Sequence, residues 1–348
     1  MYTCESAAGN YTPDYKATYT WKKEVTEGDW KNADNWTMSG CEVANPSELY
    51  PNREAYHMVV FPNSWTGVVN VAGGEECLYI KNGEGSRATL RGPAGDEMVG
   101  IKIGAMVVNV KNHQTVLDHV RCDWTGRSGS TWSGSDNMAS GSGLRLENGA
   151  ILEKAVSGWP ILFHNATDAF LEVCGGSRLT FKNCNNTFRM KGPNTRVLID
   201  DSEFSCNVPV GLNNAADGSV AWEFKGKAPR FVAGGGLVLP VAGGATIEFA
   251  PEKGGYEQAP ITVSKDVCLD GAASKATVSI AKKANVWHSG TTIDCALIEC
   301  AGGINTNAFE LVPPGRSRGR LYWYPEDAEK PTQLRFNAKL GGMCIVVR

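Results

Sequence analysis

From residue 66 to its last residue, the chain is a succession of short runs in which apolar and polar positions alternate. Gly67-Val68-Val69-Asn70-Val71, Cys77-Leu78-Tyr79-Ile80, Gly100-Ile101-Lys102-Ile103 and Val116-Leu117-Asp118-His119-Val120 are examples. A period of two is the signature of a β-strand, whose side chains point to opposite faces in turn. Breakers such as Asn82-Gly83, Gly92-Pro93 and Asn112 stop each run at strand length. No segment of ten or more residues shows a helical period. Glycine, 40 of 348 residues, is scattered evenly and without a Gly-X-Y period. That excludes collagen and suits many strands joined by tight turns.

The repeat is clearest over residues 144–206, where eight short runs follow one another. Leu179-Thr180-Phe181-Lys182-Asn183-Cys184 and Ile199-Asp200-Asp201-Ser202-Glu203-Phe204-Ser205-Cys206 both end in Phe and Cys, and the two cysteines lie 22 positions apart. Coils of twenty-odd residues fall within the range of known solenoid periods. The expected fold is all-β: a single-stranded parallel β-helix, or β-solenoid, preceded by a β cap segment. Stacked coils would place Cys184 and Cys206 one strand spacing apart, within reach of a disulfide. The eleven cysteines are widely spaced, contain no Cys-x-x-Cys pair and have no histidine at zinc-ligand spacing. They read as disulfides of an oxidising compartment or as buried thiols. Their odd number leaves at least one unpaired or bonded between chains.

The expected organisation is a polar arm at 1–18, a tryptophan-rich cap segment at 19–65 and a solenoid at 66–348. A Gly/Ser-rich stretch at 125–143 reads as a loop protruding from one coil, or as a linker. The cap segment carries Tyr19-Thr20-Trp21, Gly28-Asp29-Trp30, Asp34-Asn35-Trp36, Tyr50-Pro51-Asn52 and Val60-Phe61. On these residues it resembles the first segment of secreted bacterial proteins with passenger-type, autotransporter-associated β-helix repeats. The resemblance covers about forty residues and implies a secreted or surface solenoid, with no particular enzyme. Members of that family continue into a membrane barrel or an anchor, and the sequence here ends at Arg348 without either. The start likewise lacks the charged and apolar regions of a secretory signal, as in a cytosolic protein or a processed mature form.

The cap residues are expected to be Trp21, Trp30, Trp36 and Phe61. Large rings cover the apolar core edge that a solenoid end would otherwise expose. A carbohydrate-binding aromatic platform is the other reading of the same residues. A β-sandwich over residues 1–125 ahead of a shorter solenoid is an alternative architecture.

A net charge of -3 offers no basic excess to a phosphate backbone, so nucleic acid is not an expected partner. No apolar run approaches the roughly 20 residues of a membrane-spanning helix. Glycosidases need two carboxylates at a set separation. The doubled acids Asp200-Asp201 and Glu75-Glu76 are neighbours along a strand, so only one of each pair can face a groove. The histidines His57, His113, His119, His164 and His288 are scattered, and no Gly-x-Ser-x-Gly elbow occurs. No catalytic residue, metal ligand or cofactor is therefore assigned. Asn-X-Ser/Thr triplets at Asn10, Asn35, Asn165 and Asn185 mark possible glycan sites.

The functional expectation is a non-catalytic, secreted or cell-surface structural solenoid. It is read as a self-associating subunit of a fibre or layer, or as an adhesin. The polar arm, the odd cysteine count and the apolar last run Met343-Cys344-Ile345-Val346-Val347-Arg348 are the grounds for association through the arm and the solenoid ends. The alternative is a carbohydrate-binding or polysaccharide-degrading β-helix, with Trp132, Trp222 or Trp287 in contact with the glycan.

Overall fold

The computed structural model describes residues 17–39, 50–107, 110–125, 139–155, 166–184, 188–189, 192–212, 219–239, 244–265, 268–269, 275–282, 284, 292–314 and 319–339. They contain 29 strands, two single-turn 3-10 helices (Ala33–Asn35 and Thr306–Ala308) and no α-helix. No helix among them is long and apolar enough to cross a membrane. The chain divides into two compact units, residues 1–186 and 187–348.

In the first unit successive strands alternate between two sheets. One sheet takes Arg53–Phe61, Glu75–Asn82, Val99–Val107, Val120–Trp124, Ile151–Lys154 and Arg178–Phe181, all parallel. The other takes Glu27–Asp29, Thr66–Asn70, Arg87–Arg91, Gln114–Asp118, Gly143–Glu147 and Phe170–Cys174, also parallel. Ala17–Trp21 adds to the first sheet in parallel, and Trp36–Ser39 closes that sheet's order with an antiparallel pairing. This excludes the sandwich alternative for residues 1–125, because sandwich sheets are built from antiparallel strands.

In the second unit Glu203–Cys206, Arg230–Ala233, Ile261–Val263 and Thr292–Cys300 run parallel, followed by the antiparallel strands Gln333–Lys339 and Gly319–Tyr324. A second parallel sheet holds Thr195–Asp200, Ser219–Gly226, Gly244–Pro251, Ala276–Ile280 and Phe309–Leu311. A third, of two- and three-residue strands, holds Phe188–Arg189, Val210–Gly211, Leu237–Leu239 and Cys268–Leu269.

The alternation seen in the sequence has a direct cause. Parallel sheets are normally covered on both faces by helices and read as continuous apolar runs. Here many strands bury one face only, while Glu75–Asn82 and Gln114–Asp118 are buried at consecutive positions as well. In Val120–Trp124 the side chains of Val120, Cys122 and Trp124 are buried while Arg121 and Asp123 face outward. The inward faces of the two sheets meet, as where the Asn82 amide of one donates to the Thr115 hydroxyl of the other. Burying a side chain such as Val or Leu contributes roughly 1.5–3 kcal/mol.

The crossings from the first sheet to the second share a column of left-handed turn residues. Ser64, Gly85, Asn112, Gly141 and Asp168 all have φ between 56° and 69°, and one of them falls at each successive crossing. Each turn binds the next through its backbone: Ser64 N–H donates to Glu84 O, Gly85 to Lys111, Asn112 to Ser140 and Gly141 to Thr167. The residue after each left-handed position points inward, giving the buried series Trp65, Ser86, His113, Ser142 and Ala169. The hydroxyls in this series find backbone acceptors, Ser86 on Gly83 O and Ser142 on Val110 O. His119 and Asn148 hold left-handed positions at the opposite corner.

The disulfide expected between Cys184 and Cys206 is not formed. Both are buried thiols, as are Cys77, Cys122, Cys295 and Cys300. Their positions face the interior, where cysteine serves as a small apolar side chain. Burial, and to a lesser degree the Asp123 carboxylate, pushes the Cys122 thiol's pKa up, which keeps it neutral. Most of the 1–18 arm, the tip of the 125–143 loop and the last run at 343–348 lie outside the described residues.

Gly141 combines a left-handed φ of 69° with the Asn112 side chain packed where a Cβ would stand. Gly141→Val should lower the unfolding free energy in urea titrations by about 1–3 kcal/mol. Gly100→Ala, where a Cβ meets open space, should stay within about 0.5 kcal/mol of the parent. Burial also holds the His113 imidazole below its ordinary pKa of 6.5, against the opposing bond to Val110 O. The unfolded chain therefore takes up a proton that the folded chain refuses. Stability should be complete above about pH 6.5 and decline as the pH falls below it. Urea midpoints from pH 7.5 to 5 should show that slope, and His113→Gln should flatten it.

Candidate functional site

The segment that opens the described chain sends its aromatic residues one way and its charges the other. Trp21, Trp30, Trp36 and Phe61 are all buried. Trp36 meets Trp21 and Trp30 edge-on, with ring centroids 4.8 Å and 5.4 Å apart. Phe61 stacks on Trp65 at 5.3 Å. Edge-to-face and offset pairs of this kind are the favoured aromatic contacts. Each indole N–H is bonded to a backbone carbonyl of the same segment or its neighbour: Trp21 and Trp65 to Val25 O, Trp30 to Pro51 O and Trp36 to Trp30 O. With faces and N–H groups all engaged inside, these rings form no open platform for a glycan.

The spacing of the motif follows from one close approach. The Asn35 side-chain amide donates to Asp29 O and occupies the place a Cβ on residue 28 would need, so residue 28 must be glycine. Asn35 is thereby fixed ahead of Trp36, and its amide nitrogen is engaged, which removes that triplet as a glycan acceptor in the folded chain. Pro51 supplies the acceptor for Trp30.

Glu27, Asp29 and Lys31, the residues between the inward ones, line a cleft of about 630 Å³ together with Asn70, Glu75 and Arg91. Its charges are held in pairs. The Glu75 carboxylate, 1 % exposed, accepts from Ala72 N–H at 2.8 Å and Gly73 N–H at 2.7 Å, with Lys31 Nζ 3.6 Å away. Arg91 bridges Asp118 at 2.9 Å and Glu27 at 3.6 Å, and Asp118 also accepts from the Asn148 amide. Two backbone donors fix Glu75 as an acceptor clamp. The residues lining the cleft supply no nucleophile with a base beside it. Among the described residues no group of three His, Cys, Asp or Glu side chains could hold a metal ion.

The other residues singled out in the sequence are placed as follows. Trp222 lies in the core of the second unit, at an inward position of Ser219–Gly226, packed against Phe188 and Phe231, with its N–H on Leu212 O. Its place in the alternating pattern puts it inside, so it is no surface contact. Trp132 and Trp287 lie outside the described residues. Of Glu75-Glu76, Glu75 is buried and Glu76 faces outward to Lys102 at 3.2 Å. Lys31 and Arg91 escaped notice in the sequence because their partners, Glu75 for the first and Glu27 and Asp118 for the second, lie a coil or more away along the chain, a separation that marks no motif.

Comparison with protein-family models, curated proteins and solved structures returned no match.

The Gly28–Asn35 contact is testable by a double-mutant cycle. Gly28→Ala should cost about 1–3 kcal/mol of unfolding free energy, the usual range for overpacking. Asn35→Ala placed on top should recover part of that loss, whereas independent sites would add their losses.

Proposed function

We propose that the chain is a parallel β-helix closed by its tryptophan segment, acting as a non-catalytic scaffold outside the cell, secreted or on the cell surface. The observation that carries this is how the outward charges are used. On stacked strands of the first unit Glu76 pairs with Lys102, Arg121 with Asp123 and Glu153, Lys182 with Glu153, and Arg145 with Glu147 and Glu172. In the second, Arg230 pairs with Glu203. Most of these side chains bridge neighbouring strands of one sheet, and the surface chemistry is spent on register. Exposed pairs of this sort contribute about 0–1 kcal/mol each, but opposite charges across strands also disfavour a slipped register.

The aromatic cluster supports the cap. A core edge left open would invite uncontrolled stacking of copies. Trp21, Trp30 and Trp36 are closed on one another, and Trp36–Ser39 sits beyond Ala17–Trp21 in the sheet order with Thr37, Met38 and Ser39 facing solvent. This favours a scaffold sealed at that end over a fibre growing through it.

Light scattering on the native, untagged protein should give the mass of a single chain across a wide concentration range. Trp21→Ala with Trp36→Ala should open the end and produce concentration-dependent association. A parent protein that polymerises at low concentration would restore the fibre reading. Surface biotinylation and fractionation of the producing cells should place the chain outside the cytosol; a purely cytosolic pool would remove the extracellular assignment.

A further inference from the structure

The second unit ends in a face that the scaffold reading does not use. Thr292–Cys300, Gln333–Lys339 and Gly319–Tyr324 lie side by side, and their registers align two rows of outward side chains. One row runs Glu299, Gln333, Tyr324, and Thr262 extends it across the neighbouring strand. The second runs Ala296, Arg335, Tyr322. Tyr324 is 49 % exposed, the most exposed large hydrophobic side chain among the described residues.

The planar polar groups beside these rings are held in set orientations. Gln333 Nε2 donates to Glu299 Oε1 at 2.8 Å, and Arg335 Nη1 donates to Gln333 Oε1 at 2.8 Å. Arg335 Nε and the Tyr322 hydroxyl both donate to Asp294 Oδ1, at 3.0 Å and 2.9 Å. The Arg335 guanidinium also stands 5.7 Å from the centroid of the Tyr324 ring and braces it from one side. Burial and the Asp294 bond raise the Tyr322 pKa, so that hydroxyl keeps its proton. A cleft of about 500 Å³ borders the first row, lined by Thr262, Glu299, Thr332 and Gln333. That volume lies within the range of small-molecule sites, about 300–1,000 Å³.

We infer that this face binds a neutral oligosaccharide, with pyranose rings packed on Tyr324 and hydroxyls bonded by Gln333, Glu299 and Thr262. The argument is chemical. A sugar presents apolar C–H faces and hydroxyls that both donate and accept. An exposed tyrosine ring matches the first, since its body is apolar and its edge is polar. The Gln333 amide has two donor protons and one goes to Glu299, and the Glu299 carboxylate retains acceptor capacity on Oε2. Fixed side chains lose little entropy on binding, which favours affinity. Charge selects a neutral ligand: Arg335 is answered by Asp294, and Arg320 by Glu326 at 2.8 Å, so no cationic field is left to gather a polyanion. The polar row excludes an apolar peptide. The inference stands on the geometry of this face alone and does not require the capped-scaffold reading.

The test is native affinity electrophoresis of the full chain in gels containing hydroxyethyl cellulose, xylan, galactomannan or glycogen, with heparin and polygalacturonate as polyanionic probes. At least one neutral polysaccharide should retard the parent. Tyr324→Ala and Gln333→Ala should each weaken that retardation about ten-fold, with melting temperatures within about 1–2 °C of the parent. Tyr324→Phe, which keeps the ring, should retain binding. The inference is overturned if no neutral polysaccharide retards the parent, if retardation by one survives both alanine substitutions, or if only the polyanions retard it. Light scattering on the same samples reports the scaffold reading separately, so the two can fail independently.

Discussion

Everything in the first unit depends on one backbone interaction repeated at a corner. A left-handed residue turns the chain from one sheet to the other, and its N–H donates to a carbonyl of the next turn along the column. Each such bond contributes about 0.5–1.5 kcal/mol. With it, each coil inherits its register from its neighbour, and the inward residues of successive strands come into line without long-range instruction. The side chains then need only be apolar on alternate positions. That is why the interior accepts serine and histidine at the corner beside leucine and tryptophan in the sheets.

Much of this could be seen in the sequence. Alternation marked the strands, and the Phe–Cys endings pointed to a coil of twenty-odd residues, which is the spacing of the column from Ser64 through Gly85, Asn112 and Gly141 to Asp168. In sequence the tryptophans fit a cap or a platform, and their burial with every N–H engaged removes the platform. What could not be seen was anything needing the exact interval. Coil length varies, so Arg91 meets Asp118 one coil on while Lys31 meets Glu75 across a wider gap, and no common interval links the two pairs. The left-handed positions escaped for a related reason. Most of the column is Ser, Asn or Asp, residues that tolerate this conformation through local hydrogen bonds and that a search for glycine passes over. Cysteine misled because spacing speaks to proximity and says nothing of oxidation. Trp222 misled because tryptophan beside acids looks like a sugar contact until its parity in the strand is counted.

The two clefts differ in how their polar groups are committed. In the first unit Glu75 is clamped by backbone donors and Arg91 is divided between two carboxylates, so the groups are spent on joining strand ends. At the closing hairpin of the second unit the side chains orient one another and still carry unused donors and acceptors beside an exposed ring. In that row Glu299 and Gln333 have a strand on either side, and Tyr324 lies on the outermost described strand of the sheet.

The tryptophan segment also has a kinetic meaning. Some of its contacts are local: Trp21 reaches Val25, Asn35 reaches Asp29 and Trp36 reaches Trp30, separations of four to six residues, while Trp30 reaches on to Pro51 and Trp65 reaches back to Val25. Each turn-to-turn bond in the column instead spans a whole coil, as from Ser64 to Glu84 or from Asn112 to Ser140. Closing a loop about five times longer costs about 1.5 kcal/mol more in chain entropy. The local part of the segment, from Trp21 to Trp36, is thus inexpensive to organise early, and once formed it offers a strand edge on which the next strand can pair. A structure that looks like a lid when finished is, in the order of assembly, a starting block.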